Sequence, residues 1–104
     1  ACYSASQVLM AAKLNSDYAS LFFNRIKDIG KDPVKEIEMS KSFLKNFKTE
    51  LIIGSIRSIE DVSLVASLNV DIITIPYKIL KQIFNFEPTI NTINEFLQAF
   101  RRKV

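Results

Sequence analysis

An α/β fold with a parallel sheet is predicted for this chain by three observations. Three apolar runs short enough for strands, residues 17–23, 50–54 and 71–75, alternate with longer segments of helical periodicity. Each run opens on an acid (Asp17, Glu50, Asp71) and is otherwise nearly continuous in apolar residues, as expected of strands covered on both faces. The first two runs each end in an arginine among hydrogen-bonding groups, in Ser20-Leu-Phe-Phe-Asn-Arg25 and Gly54-Ser-Ile-Arg57, with a helical pattern between them. Strands joined by a crossover helix are parallel and finish at the same edge of the sheet.

The elements follow in order. Residues 4–14 carry Val8, Ala11 and Ala12 on one helical stripe, and the first strand, 17–23, comes next. Asp32-Pro33 is an N-cap followed by proline at the first helical position, which opens a helix over 33–46. After the strand at 50–54, Ser58-Ile-Glu-Asp61 has the form of a capping box with aspartate in place of glutamate; Val62, Val65 and Ala66 give that helix its buried stripe. The strand Asp71-Ile-Ile-Thr-Ile75 stops at Pro76. Ile79, Leu80 and Ile83 then mark a short helix, and Ile93, Phe96, Leu97 and Phe100 a final one. The predicted order is αβαβαβαα.

Composition narrows the function classes. With 104 residues, 48% hydrophobic and 24% charged, the chain reads as one globular unit, and two glycines and three prolines leave no linker. The single cysteine, Cys2, can make no internal disulfide, and the absence of histidine removes the usual catalytic base and the commonest metal ligand, so no metal or cofactor is expected. No apolar stretch is long enough to span a bilayer, and the N-terminus lacks a signal-peptide pattern; no membrane partner and a cytoplasmic location are expected. The net charge of +3 is modest and the lysines are scattered, which argues against nucleic-acid binding.

Three parallel strands with helices on one side leave two unpaired edges and one bare apolar face. A piece of a (β/α)8 barrel satisfies this, because missing strands pair with both edges and the bare face becomes the packed interior. An isolated chain is therefore expected to associate with itself or with the missing part. At the C-terminal edge, Arg25 and Arg57 converge with backbone donors and with the amides of the helix opening near Ser58, a combination that suits a phosphate. The alternative for each arginine is an ordinary surface ion pair.

Ala1-Cys-Tyr-Ser-Ala-Ser-Gln7, Tyr18-Ala-Ser-Leu-Phe-Phe-Asn-Arg25, Asp28-Ile29-Gly30, Gly54-Ser-Ile-Arg57 and Asp71-Ile-Ile-Thr-Ile-Pro76 resemble successive signatures of the transaldolase family, especially its short subfamily with the fructose 6-phosphate aldolases. The match is collinear over nearly the whole chain. It implies a class I barrel enzyme that moves a dihydroxyacetone unit between sugar phosphates through a lysine Schiff base, in pentose phosphate metabolism. It also implies that residues 1–104 are a single partial barrel, about strands 6–8 with their helices, the earlier strands and the Schiff-base lysine lying before Ala1. No lysine in the chain has the desolvated strand environment that an amine nucleophile needs.

Carried over by that resemblance, Arg25 and Arg57 match the phosphate-binding positions, and Ser55 supplies a hydroxyl or backbone donor to the same group. Ser20 matches a serine beside the substrate's hydroxyls. Phe22 matches the ring that walls the pocket, a tyrosine in aldolase-type members, so phenylalanine favours the transaldolase branch. Asn24 stands where a glycine is frequent. Cys2 and Tyr3 are read as packing residues and Arg101-Arg-Lys103 as a solvated tail. Two function classes remain open: part of a transaldolase-like transferase, or a non-catalytic remnant that binds a sugar phosphate or a partner protein.

Overall fold

A computed structural model describes residues 1–85 and 87–103. Helix α1 (Ala5–Lys13) leads to β1 (Tyr18–Phe22), α2 (Phe23–Asp28), α3 (Pro33–Leu44), β2 (Glu50–Gly54), α4 (Ile59–Ser67), β3 (Ile72–Ile73), α5 (Tyr77–Phe84) and α6 (Glu87–Lys103). The sheet is parallel in the order β1-β2-β3, with Ser20 opposite Ile52 and Phe22 opposite Gly54. Cys2 adds a parallel bridge to Leu21 on the far side of β1, its amide donating to Ser20 O at 2.7 Å. Four chain segments thus lie side by side in sequence order, each connected to the next through a helix. Right-handed crossovers put all those helices on one face, and this α/β layering fits a fragment of a (β/α)8 barrel.

Burial records that asymmetry. Along β1 and β2, Ala19, Leu21, Leu51 and Ile53 are buried against Val8 and Ala12 of α1, Ile37 and Leu44 of α3, and Val65 of α4, while Ser20, Phe22 and Ile52 on the opposite face are only half-buried. The helices that build the covered face are defined by their ends. Asp32 accepts from the amides of Val34 and Lys35 at the start of α3, and Ser58 from Asp61 at the start of α4. Glu36 reaches from α3 to the Ala5 amide, so one helix caps another. Asn15, Gly30 and Asn69 follow the ends of α1, α2 and α4 with positive φ, the left-handed residue that closes a helix.

Three differences from the sequence expectation have physical causes. Helix α2, at 23–28, lies where the end of a strand and no helix were expected; six residues are too few to show a period, and no side chain caps its start. Lys27 accordingly sits on a helix. Strand β3 is limited to 72–73, although the Thr74 amide still donates to Ile53 O at 3.0 Å. The third concerns shape: the radius of gyration is 17.4 Å, against about 13 Å for a compact domain of this length. Helix α6 presents its apolar stripe outward, with Phe96 at 72% exposure. The side chains of Phe100 and Arg101-Arg-Lys103 lie outside the described residues.

The core should respond as a packed interior. Ile37, fully buried between α3 and the sheet, is expected to lose about 2–5 kcal/mol of stability as Ile37→Ala. Leu14→Ala, at a position 76% exposed, should cost little; similar urea midpoints for the two variants would mean the core is misplaced.

Candidate functional site

The site is built where β1 and β2 leave the sheet. Phe22 is the last residue of β1, and its ring lies edge-on to Tyr3 with centroids 6.3 Å apart. Gly54, directly opposite, makes room for it: a Cβ there would come 3.2 Å from the ring, closer than ordinary packing allows. The chain then turns into α2, which sends Arg25 back over the same ring, its guanidinium carbon 4.9 Å from the centroid. Phe22 is thus both a wall and a platform for a cation, an arrangement worth about 0.5–1 kcal/mol where exposed. Ser20, two residues earlier, shares the half-buried face of the strand.

At the exit of β2, Ser55 adopts φ 59°, a left-handed conformation that costs a non-glycine residue roughly 1–2 kcal/mol. Its carbonyl is held by Asn24, through the backbone amide at 3.3 Å and Nδ2 at 2.7 Å. Two residues on, Arg57 grips Asp28 of α2 end-on, Nη1 to Oδ1 at 3.1 Å and Nη2 to Oδ2 at 2.8 Å. Hydrogen bonding from Arg57 holds the Asp28 carboxyl below its ordinary value, and the charges of both Arg57 and Arg25 pull the same way. Arg57 therefore already holds one small anion, the protein's own carboxylate, and the charge of Arg25 adds to it from a longer distance.

Of the predicted residues, Phe22, Arg25, Ser55 and Arg57 gather at these two adjoining exits, and Ser20 lies on the strand leading to them. Arg57 makes the surface ion pair that was its alternative reading, whereas Arg25 has no carboxylate within ion-pair distance among the described residues. The expected contribution of amides at the start of α4 meets acids there. The Arg57 amide donates to Asp61 Oδ2 at 2.9 Å and the Asp61 amide to Ser58 Oγ at 3.1 Å, and the first turn also carries Glu60. That helix end has one amide capped and two acids in its first turn, which weakens its pull on an anion, so guanidiniums carry most of the attraction.

Sequence reasoning passed over three residues of the site. The segment Asp28-Ile29-Gly30 by itself assigns Asp28 no role; its position three residues after Arg25 places both on one side of α2. Asn24 was noted only as a substitution for glycine, yet it is buried at a helical position that requires no positive φ. Asp61 was read as a capping residue, but its carboxylate reaches past Ser58 to Arg57 and Asn24. Among the described residues, no three His, Cys, Asp or Glu side chains are placed to hold a metal ion, and no helix is long and apolar enough to cross a membrane.

The electrostatics give a signed expectation. Burial pushes the Asp61 carboxyl up, but hydrogen bonds from Asn24, the Arg57 amide and Ser58 outweigh it and carry the value below 3.8. A carboxyl lowered by folding stabilises the protein above its unfolded value, and that contribution disappears as pH falls through the folded value. Asp61→Asn should therefore lower the urea midpoint at pH 7, with the gap closing below about pH 4. A gap that persists undiminished at pH 2.5 would contradict the assignment.

Comparison with known proteins identifies the family. The family model for transaldolase/fructose-6-phosphate aldolase matches residues 1–103. A protein named "Probable transaldolase" from Carboxydothermus hydrogenoformans is 40% identical over 105 residues, covering 96% of this chain and 49% of the relative. Proteins of the same name from Thermoplasma acidophilum (30% identical, 96% of this chain, 46% of the relative) and Clostridium kluyveri (40% identical, 92% and 46%) align similarly. The chain spans about half the length of these curated relatives. It belongs to the transaldolase/fructose-6-phosphate aldolase family.

Proposed function

We propose that this chain is the phosphate-holding part of a transaldolase-type (β/α)8 barrel, about strands 6–8 with their helices. The complete barrel, in this reading, moves a dihydroxyacetone unit between sugar phosphates in the cytoplasm through a lysine Schiff base, without a cofactor. The observation that carries the reading is that Arg25 and Arg57 follow the ends of neighbouring parallel strands at one edge of the sheet, and that Arg57 already holds a small anion, the Asp28 carboxylate, in a bidentate pair. A guanidinium that holds one small anion suits another. Arg57 spends two of its five N–H groups on Asp28 and keeps three for an incoming phosphate, while the stacking of Arg25 on Phe22 leaves the rim of its guanidinium open. Ser55 adds a hydroxyl.

A phosphate anchored there places the sugar's carbon chain over the half-buried face of the sheet, past Phe22 and toward Ser20. The contribution of this chain to rate is then positional: it fixes the substrate's far end so that its carbonyl is presented repeatedly to one nucleophile. The nucleophile itself belongs to strands outside the chain, since no strand here carries a lysine. The half-open inner face and the edges at Cys2 and β3 are the surfaces that those strands, or a second copy, would cover.

In the completed barrel, Arg25→Ala or Arg57→Ala is expected to weaken phosphorylated substrates by about 1.5–3 kcal/mol and to leave unphosphorylated analogues almost unchanged. Equal losses on both kinds of sugar would mean that the arginines only hold structure. The 104-residue chain alone is expected to form no borohydride-trapped adduct with fructose 6-phosphate by intact mass spectrometry. A stoichiometric adduct on one lysine would put the nucleophile within this chain.

A further inference from the structure

The exits of β1 and β2 are joined by more than the sheet. Asn24 Nδ2 lies 2.7 Å from Ser55 O and 2.7 Å from Asp61 Oδ2, and that same carboxylate oxygen accepts the Arg57 amide at 2.9 Å. A continuous run of hydrogen bonds thus leads from the residue beside Arg25 to the backbone of Arg57. We propose that Asn24 and Asp61 are positioning residues that set where Arg57 stands relative to Arg25, so that both guanidiniums meet one phosphate; the inference rests on the phosphate reading above.

The chemistry of the two side chains fits this role. Asn24 is 9% exposed, and a primary amide is the smallest side chain that offers two N–H donors from one atom, here directed to two acceptors on different elements. Aspartate at 24 would set two carboxylates against each other, and alanine would leave Asp61 one donor short. Asp61 is not needed to cap its own helix by this route, because Ser58 already accepts the Asp61 amide. Its carboxylate instead ties down the amide of Arg57, two residues beyond the left-handed Ser55. A strained residue persists only where its surroundings hold it, and the two donations from Asn24 to the Ser55 carbonyl supply that hold.

The test measures binding of inorganic phosphate together with hydrogen exchange of the Arg57 amide in the full chain. Asn24→Ala is expected to weaken phosphate about tenfold, the loss of one charge-assisted hydrogen bond, and to speed exchange at Arg57. Asn24→Asp should be worse. Adding Asp61→Asn to Asn24→Asp should relieve the repulsion between carboxylates and recover only part of the affinity, because an aspartate at 24 has no donor for the Ser55 carbonyl. Phosphate affinity and Arg57 protection both unchanged in Asn24→Ala would overturn the inference. Absence of phosphate binding by the unsubstituted chain would instead overturn the reading on which it rests, and the wild-type arm distinguishes the two.

Discussion

The parallel pairing of β1 with β2 is the constraint on which the rest depends. In the register that sets Phe22 opposite Gly54, both strands end at the same level, so whatever follows each of them emerges into one space. Gly54 is the position that permits this. With no side chain to block it, the Phe22 ring can lie across the end of β2, and Arg25 can lie on the ring. A substituent at Gly54 would displace the ring first and the cation with it, so backbone pairing, aromatic packing and charge are three consequences of one alignment.

Electrostatically, the site is a balance of fixed charges instead of a simple basic patch. Arg57 is held by Asp28, and the neighbouring helix begins with Glu60 and Asp61. Such acids reduce the attraction for an anion, but they also fix donors in direction. A guanidinium held by a bidentate carboxylate, on a residue whose backbone amide is tied to Asp61, loses less freedom when a ligand arrives, and preorganisation of this kind converts modest charge into selective binding. The pair is exposed at the edge of the sheet, where water and salt weaken it, so an incoming phosphate competes with Asp28 on open terms.

Much of this was legible in the sequence because the signals were strong and local. Asp32-Pro33 marked a helix start, the acid-led apolar runs marked strands, and two arginines after two such runs pointed to one edge. What could not be read depended on distance in the chain or on shortness. Helix α2 has too few residues for a period, so Arg25 was expected at a strand end, not on a helix that turns it back over Phe22. The partnership of Asn24 with Asp61 spans 37 residues, and no local pattern announces it. The expectation of anion-binding amides at the start of α4 overlooked that the acids of the first turn, Glu60 and Asp61, bring negative charge to that end, and that Ser58 takes the Asp61 amide.

The central claim is that Arg25 and Arg57 form one anion site. The most direct measurement is a phosphate titration that follows the side-chain Nε–H resonances of the two arginines by nuclear magnetic resonance. Both resonances should move along a single binding curve with one dissociation constant, and inorganic sulfate should compete. Movement of only one arginine, or two curves with different constants, would contradict a shared site.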